Sequence, residues 1–218
     1  MVLPLPAPPL LVITDGRRAP RPLEEMAAAA FDGGCRWLSL REKDLSAADR
    51  LALLRRLVAL GRRWGAVVGV HEDVGAAQAA EAGAVHLPDG ASIAAARRRL
   101  GPGVLIGASA HGAERIKAAA AEGADYVTIS PIFASASKPG YGPELGLVTL
   151  ANLSRDAGVP VLGLGGIDAT NIASVIAAGA AGAAVMGAVM AAEDPALRVA
   201  ALVAALRAPL AASGAAPT

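Results

Sequence analysis

The sequence predicts an α/β protein built as a single (β/α)8 TIM barrel, and three observations support this prediction. Short apolar runs alternate in strict order with longer stretches of helical spacing, eight of each. A short motif recurs along the chain, in which the end of a helix is followed by a glycine and a small residue. This recurrence is typical of stacked βα units. At 218 residues the chain has room for eight such units.

The predicted strands cover residues 10–14, 36–41, 66–71, 84–87, 104–109, 126–130, 161–164 and 182–186. The predicted helices cover residues 23–31, 47–64, 74–82, 93–100, 113–122, 147–157, 171–178 and 195–206. Strictly alternating units of this kind form a parallel sheet. An open doubly wound sheet is the alternative, but the turn after the first strand lacks the glycine pattern of a dinucleotide-binding site.

Several helix ends carry local signals. Ser46 and Asp49 have the spacing of a capping box at the start of the second helix. Glycines follow four helices, where a left-handed residue is expected: Gly83, Gly123, Gly158 and Gly179. We expect one domain over residues 1–210 and a disordered tail over residues 211–218.

Composition narrows the classes of function. Twenty basic and 19 acidic residues give a net charge of +1, which argues against nucleic acid as the main partner. Cys35 is the single cysteine, so an internal disulfide is excluded, and we interpret it as a packing residue. No apolar stretch approaches the ~20 residues of a membrane span. The apolar start of the chain holds four prolines and no basic residue, so we expect a cytoplasmic protein without a signal peptide.

Residues that follow the strands are the candidates for a site, because TIM barrels carry their active sites at the C-terminal strand ends. Gly165 and Gly166 after the seventh strand, with Met186 and Gly187 after the eighth, predict a phosphate site built from backbone N–H groups. The alternative is that these glycines only make tight turns.

The connection after the sixth strand, residues 130–143, is about twice the usual length, and loops of this length are often functional. Ser135, Ser137 and Lys138 offer two hydroxyls and an ammonium group that suit phosphate oxygens. A solvated surface loop is the alternative interpretation.

Charged and titratable residues follow the second to fifth strands. Arg41 and Lys43 lie on one face and need an anion, which a diphosphate, a carboxylate or an ion pair with the next loop would supply. Glu72, Asp73 and Asp89 could hold Mg²⁺, or could only neutralise that basic pair.

The three histidines fall in or just after the third to fifth strands. His71 and His111 lie at the predicted mouth and could act as acid–base groups near neutral pH. His86 lies inside the fourth strand and could be a core or a helix-facing residue. A purely structural role is the alternative for each of them.

Several segments together resemble the thiamin phosphate synthase/TenI family. They include Leu40-Arg41-Glu42-Lys43, Val85-His86-Leu87, residues 106–111, residues 123–127, residues 130–138 and Gly165-Gly166-Ile167, and the resemblance covers residues 11–194. It implies a TIM barrel acting on small phosphorylated heterocycles, with a homodimer as a possible assembly.

Thiamin phosphate synthases couple hydroxymethylpyrimidine diphosphate to thiazole phosphate and release diphosphate with Mg²⁺. The resemblance assigns Arg41, Lys43, Ser109 and Lys138 to the diphosphate, and the predicted glycine site with Ser135 and Ser137 to the thiazole phosphate. Glu72 and Asp89 are then the candidate metal ligands.

The sequence departs from the synthase pattern mainly on the diphosphate side. Ser39 occupies the position of a Gln that is usual in the synthases, and His71-Glu72 occupies the position of Asn-Asp. Ala91 occupies the position of a second metal-ligand Asp. Residues 87–92 resemble instead the thiazole tautomerases, which move a proton on thiazole carboxylate phosphate without a metal. The tautomerase base is replaced by Pro131, so His71 or His111 would have to substitute. A non-catalytic protein that binds thiamin phosphate or thiazole phosphate is a third possibility.

Overall fold

The computed structural model describes residues 2–134 and 143–207, and it confirms the predicted barrel. Eight parallel strands close into one sheet in sequence order. The strands are β1 (Leu10–Ile13), β2 (Trp37–Leu40), β3 (Val67–His71), β4 (Ala84–Leu87), β5 (Leu105–Ala110), β6 (Tyr126–Ile129), β7 (Val161–Leu164) and β8 (Gly182–Val185). Strand β1 pairs with β8, with Leu10 opposite Ala183, and this pairing closes the barrel.

Helices surround the barrel, one after each strand, with one more at the end of the described chain. They are α1 (Leu23–Asp32), α2 (Ala47–Arg62), α3 (Val74–Ala79), α4 (Ile93–Leu100), α5 (Ala113–Ala121), α6 (Gly146–Arg155), α7 (Ile172–Ala177), α8 (Gly187–Met190) and α9 (Pro195–Arg207). Each described helix is too short or too polar to cross a membrane. The Ser46 hydroxyl accepts a hydrogen bond from the Asp49 N–H at the start of α2, as the capping box predicts.

Two apolar clusters hold the fold together. The larger one lies between the sheet and the helices. The smaller one fills the inside of the barrel and includes Leu11, Ile13, Trp37, Tyr126, Leu162 and Ala184. The Trp37 and Tyr126 rings meet edge to face with centroids 4.7 Å apart. Gly107 makes this possible, because a Cβ there would overlap the Tyr126 ring.

The structure corrects the prediction at several boundaries. Helix α8 was not predicted, because its four residues are too few to show a helical period. Gly83 was expected in a left-handed turn, but Glu81 takes that conformation with a φ of 51°. Gly83 already donates its N–H to Val68 O, and a Cβ there would meet Val67 Cγ1 at 3.1 Å. A close approach to β3 is therefore what requires this glycine.

Candidate functional site

A cavity of about 960 Å³ opens at the C-terminal ends of the strands, where the sequence predicted a site. Eleven of the predicted site residues line it: Arg41, Lys43, His71, Glu72, Asp89, Ser109, His111, Gly165, Gly166, Met186 and Gly187. The other three, Ser135, Ser137 and Lys138, lie outside the described residues. The barrel thus brings together predicted residues from the C-terminal ends of six different strands.

One side of the cavity is made of closely packed backbone. Gly165 and Gly166 both have positive φ, 98° and 65°. A Cβ on Gly165 would lie 2.9 Å from Pro131 Cα, and one on Gly166 would overlap the Ala134 carbonyl oxygen. After the neighbouring strand β8, Gly187 starts α8, so its N–H has no partner within that helix. Glycine and free N–H groups allow a phosphate to approach the backbone closely.

The cations Arg41 and Lys43 follow β2, which β1 separates from β8 in the sheet. A hydrogen-bonded clamp fixes the backbone of this segment. Glu42 accepts from the Thr14 hydroxyl at 2.6 Å and from the Gly16 N–H at 3.0 Å. The Thr14 oxygen in turn accepts from the Arg41 N–H at 2.9 Å. The end of β1 therefore orients the segment that holds Arg41 and Lys43. Thr14 and Glu42 were not predicted as positioning residues. The only sequence signal for this role is their location at the ends of two neighbouring strands.

We expect Glu42→Gln to loosen this clamp. One oxygen becomes an NH2 group, so a hydrogen bond is lost, which costs about 1–2 kcal/mol of the free energy of unfolding. Affinity for inorganic diphosphate should fall severalfold as Arg41 shifts. Denaturant unfolding and calorimetric titration measure the two effects. Glu24→Gln is the matched control, because it removes a carboxylate that pairs with Arg56 on the surface. An unchanged diphosphate affinity in Glu42→Gln would show that the clamp does not orient Arg41.

Two of the three candidate metal-binding carboxylates already have partners. Asp73 caps α3 through the Ala76 N–H and pairs with Arg50 at 3.1 Å. The backbone hydrogen bond from Ala76 lowers the pKa of Asp73. Asp89, a predicted metal ligand, pairs with Arg115 at 2.5 Å. Both side chains therefore balance arginines on α2 and α5.

Glu72 differs from these two. Its side chain is 52% exposed and lies 3.9 Å from the Lys43 ammonium nitrogen, so the predicted link to the basic pair is present but loose. Its backbone has a φ of 67°, a conformation that residues other than glycine adopt at a cost. The Glu72 N–H donates to His86 O, which helps to hold this conformation. Such strain is often stored at functional sites.

We expect Glu72→Gly to stabilise the fold while it lowers activity. Glycine relieves the left-handed backbone, which should raise the free energy of unfolding by up to about 1 kcal/mol. Loss of the carboxylate should lower turnover at least about tenfold if Glu72 meets the metal–diphosphate group. Glu81→Gly is the matched control, because Glu81 also has positive φ but is an exposed residue in the turn after α3. Its turnover should not change. Wild-type turnover in Glu72→Gly would remove Glu72 from the site.

Two histidines form the floor of the cavity. The His71 and His86 rings lie 4.7 Å apart, and Ser39 contacts Nδ1 of His71 at 2.8 Å. Burial, with His86, Arg41 and Lys43 nearby, holds the pKa of His71 well below its usual value. Burial lowers the pKa of His86 to about 4. Both rings are therefore uncharged at neutral pH.

The structure also settles three predictions about single residues. His86 is a core residue inside the barrel, not a helix-facing one, and it borders the cavity. His111 lies at the exposed rim. Cys35 is buried and contacts Trp37 O at 3.1 Å, and burial raises its pKa to about 12. An inert packing role for Cys35 follows.

The fold and the cavity define a (β/α)8 barrel with a cavity lined by cations and glycines at the C-terminal ends of its strands. A family model described as thiamine monophosphate synthase matches residues 10–189. The chain therefore belongs to the thiamine monophosphate synthase family, as its motifs predicted.

Named relatives agree with this membership. The chain is 41% identical over 171 residues to a thiamine-phosphate synthase of Roseiflexus sp. (strain RS-1), covering 78% of this chain and 72% of the relative. It is 41% identical over 177 residues to a thiamine-phosphate synthase of Myxococcus xanthus, covering 81% of each. Among solved structures, thiamine phosphate pyrophosphorylase from Pyrococcus furiosus matches with a TM-score of 0.81 and 30% identity, over 90% of this chain and 94% of that one.

Proposed function

We propose that the protein couples hydroxymethylpyrimidine diphosphate to thiazole phosphate, forming thiamin phosphate and releasing diphosphate. Family membership and the named relatives support the predicted transferase of thiamin biosynthesis. One observation carries the assignment to this cavity: the glycines that follow β7 and β8 and the cations that follow β2 border the same space. Two phosphorylated substrates therefore have separate anion-binding sides in one cavity.

The residues suggest how the chain assists this coupling. The bond between the pyrimidine CH2 carbon and the diphosphate oxygen breaks, and the oxygen keeps the electron pair. Arg41 and Lys43 neutralise the negative charge that develops on that oxygen. Electrostatic stabilisation of this kind is usually the largest single contribution to catalysis. The thiazole nitrogen then forms a bond to the same carbon. Gly166 and Gly187, by holding the thiazole phosphate, keep the two rings in line.

Magnesium fits this site in a limited way. The described residues contain no group of three or more metal-ligating side chains, and Asp73 and Asp89 are held by arginines. Mg²⁺ commonly binds through one or two carboxylates plus substrate phosphates. Glu72 would be the protein ligand of an ion that arrives with the diphosphate. When bound, Mg²⁺ supplies positive charge to the leaving group.

The test is a turnover assay with both substrates, with and without Mg²⁺, that follows diphosphate and thiamin phosphate. We expect equal amounts of both products, and more of each with Mg²⁺. No product from protein that binds both substrates would overturn the coupling function. Activity that does not change on addition or chelation of the metal would overturn the role of Glu72 as a metal ligand.

A second activity, proton transfer on thiazole carboxylate phosphate, is favoured by the floor of the cavity. His71 is uncharged there, and an uncharged imidazole can accept a proton. Exchange of the thiazole ring proton with deuterated solvent, followed by NMR, tests this activity. Exchange that is lost in His71→Asn would support it, and no exchange above the solvent rate would exclude it.

A cytoplasmic location and a homodimer stay predictions from the sequence. Sedimentation of the purified chain tests the dimer, with twice the mass of 21.6 kDa as the expected value.

A further inference from the structure

A chain of hydrogen-bonding groups leads from the inside of the barrel to the cavity. The Tyr126 hydroxyl lies 3.2 Å from Nδ1 of His86. Nε2 of the same ring lies 3.1 Å from Ser109 Oγ and 3.3 Å from Thr128 Oγ1. Tyr126 is buried inside the barrel, His86 is buried and borders the cavity, and Ser109 is at the cavity wall. The coupling step proposed above uses neither Tyr126 nor His86.

The direction of these hydrogen bonds follows from the protonation states. His86 is uncharged, so it carries one N–H and one bare nitrogen. Burial raises the pKa of Tyr126, which keeps its phenol protonated. Within residues 2–134 and 143–207, Nδ1 of His86 is the hydrogen-bonding partner shown for that phenol. The phenol therefore donates to Nδ1, since the reverse arrangement would leave a buried O–H without an acceptor.

This direction decides what Ser109 presents to a ligand. With Nδ1 accepting from Tyr126, the single N–H of His86 is on Nε2 and points at the hydroxyls of Ser109 and Thr128. Ser109 then accepts through its oxygen and keeps its own proton free to donate into the cavity. In the other tautomer, Ser109 would donate to Nε2 and turn a lone pair toward the cavity, which would repel an anion.

We propose that Tyr126 and His86 are positioning residues that fix the Ser109 hydroxyl as a hydrogen-bond donor to the diphosphate group. The proposal rests on the proposed function for the identity of the anion. Tyr126 selects the tautomer of His86 inside the barrel. That tautomer determines whether Ser109 donates or accepts a hydrogen bond at the cavity wall. Tyr126 does not line the cavity and acts only through His86.

The first test is the tautomer itself. Nitrogen-15 NMR of the imidazole rings distinguishes an Nε2–H from an Nδ1–H histidine. We expect His86 to be Nε2–H in the wild-type chain and a mixture of tautomers in Tyr126→Phe, which keeps the ring that packs on Trp37. An Nδ1–H His86 in the wild-type protein would overturn the proposal.

The second test is a double-mutant cycle on the binding of inorganic diphosphate, measured by calorimetry. Tyr126→Phe should weaken binding about threefold to tenfold, as expected for one misdirected hydrogen bond. It should have no further effect in Ser109→Ala, because Tyr126 acts through Ser109. Thr128→Val, which removes a hydroxyl from the same cluster but not from this path, should stay within about twofold. A full Tyr126→Phe effect without Ser109, or an equal effect of Thr128→Val, would contradict the proposal.

These readouts are independent of turnover. A chain that binds diphosphate as described but forms no thiamin phosphate keeps this inference and overturns the proposed function. A chain that catalyses the coupling but shows additive effects of Tyr126→Phe and Ser109→Ala keeps the proposed function and overturns this inference.

Discussion

Gly166→Ala is expected to weaken binding strongly on the glycine-lined side of the cavity. The new methyl group would overlap Ala134 O and lie 2.7 Å from Phe133 Cβ. Because the φ of 65° is also unfavourable for alanine, the free energy of unfolding should fall by about 2–4 kcal/mol. Backbone displacement should weaken thiazole phosphate binding more than about tenfold and lower kcat/KM about a hundredfold. Calorimetry and steady-state kinetics measure these losses.

Gly65→Ala measures the conformational cost of an alanine with positive φ in the absence of steric overlap. Gly65 has a φ of 60°, close to that of Gly166, and a Cβ there would meet nothing within 4 Å. It lies between α2 and β3, at the opposite end of the barrel. We expect a loss of about 1 kcal/mol in stability and no change in thiazole phosphate binding. If Gly166→Ala matched Gly65→Ala in both measurements, Gly166 would be a turn glycine only.

Arg41→Gln is expected to remove most of the diphosphate affinity. The Arg41 guanidinium lines the cavity, and its side chain has no hydrogen bond or ion pair shown with the described residues, so its charge is available to a ligand. Loss of one such donor lowers turnover by about 100-fold to 1,000-fold. Steady-state kinetics with the pyrimidine diphosphate as the varied substrate should show the loss. Unchanged kcat/KM would exclude Arg41 from the site.

Arg41→Lys tests the geometry of the interaction separately from its charge. A lysine keeps the positive charge but cannot bind two oxygens in a planar fork, so we expect only partial recovery. Arg41 also lowers the pKa of His71, so its removal should raise that pKa, and lysine should restore part of the depression. NMR titration of His71 gives this readout without substrate. A pKa of His71 that does not respond to Arg41→Gln would show that the two side chains are not electrostatically coupled.

The barrel and the location of its site were predictable because they depend on local patterns. Alternating apolar runs and helical stretches leave few topologies, and a closed parallel sheet collects all its strand ends on one side. Arg41, Glu72, Ser109 and Gly166 could thus be placed at one mouth without knowledge of any contact. Their presence around a single cavity confirms that placement.

The assignment of the carboxylates depended on contacts between residues far apart in the chain. Asp89 meets Arg115 on α5, and Asp73 meets Arg50 on α2. Sequence spacing does not show which of several nearby arginines a carboxylate reaches. Asp89 therefore looked as suitable for a metal as Glu72 did, and only the folded chain distinguishes the paired side chain from the half-exposed one.

The sequence by itself determined the order of the elements, the end of the barrel that holds the site and the types of side chain found there. All three follow from the hydrophobic period of each segment, the length of the segments and the order of the strands. Tertiary structure decided which way His86 faces, since both faces of a strand in a parallel barrel are apolar and conceal its alternation. It also decided the partners of Glu42, Tyr126 and Ser109. Those hydrogen bonds join separate strands and exist only when the closed sheet brings the strands side by side.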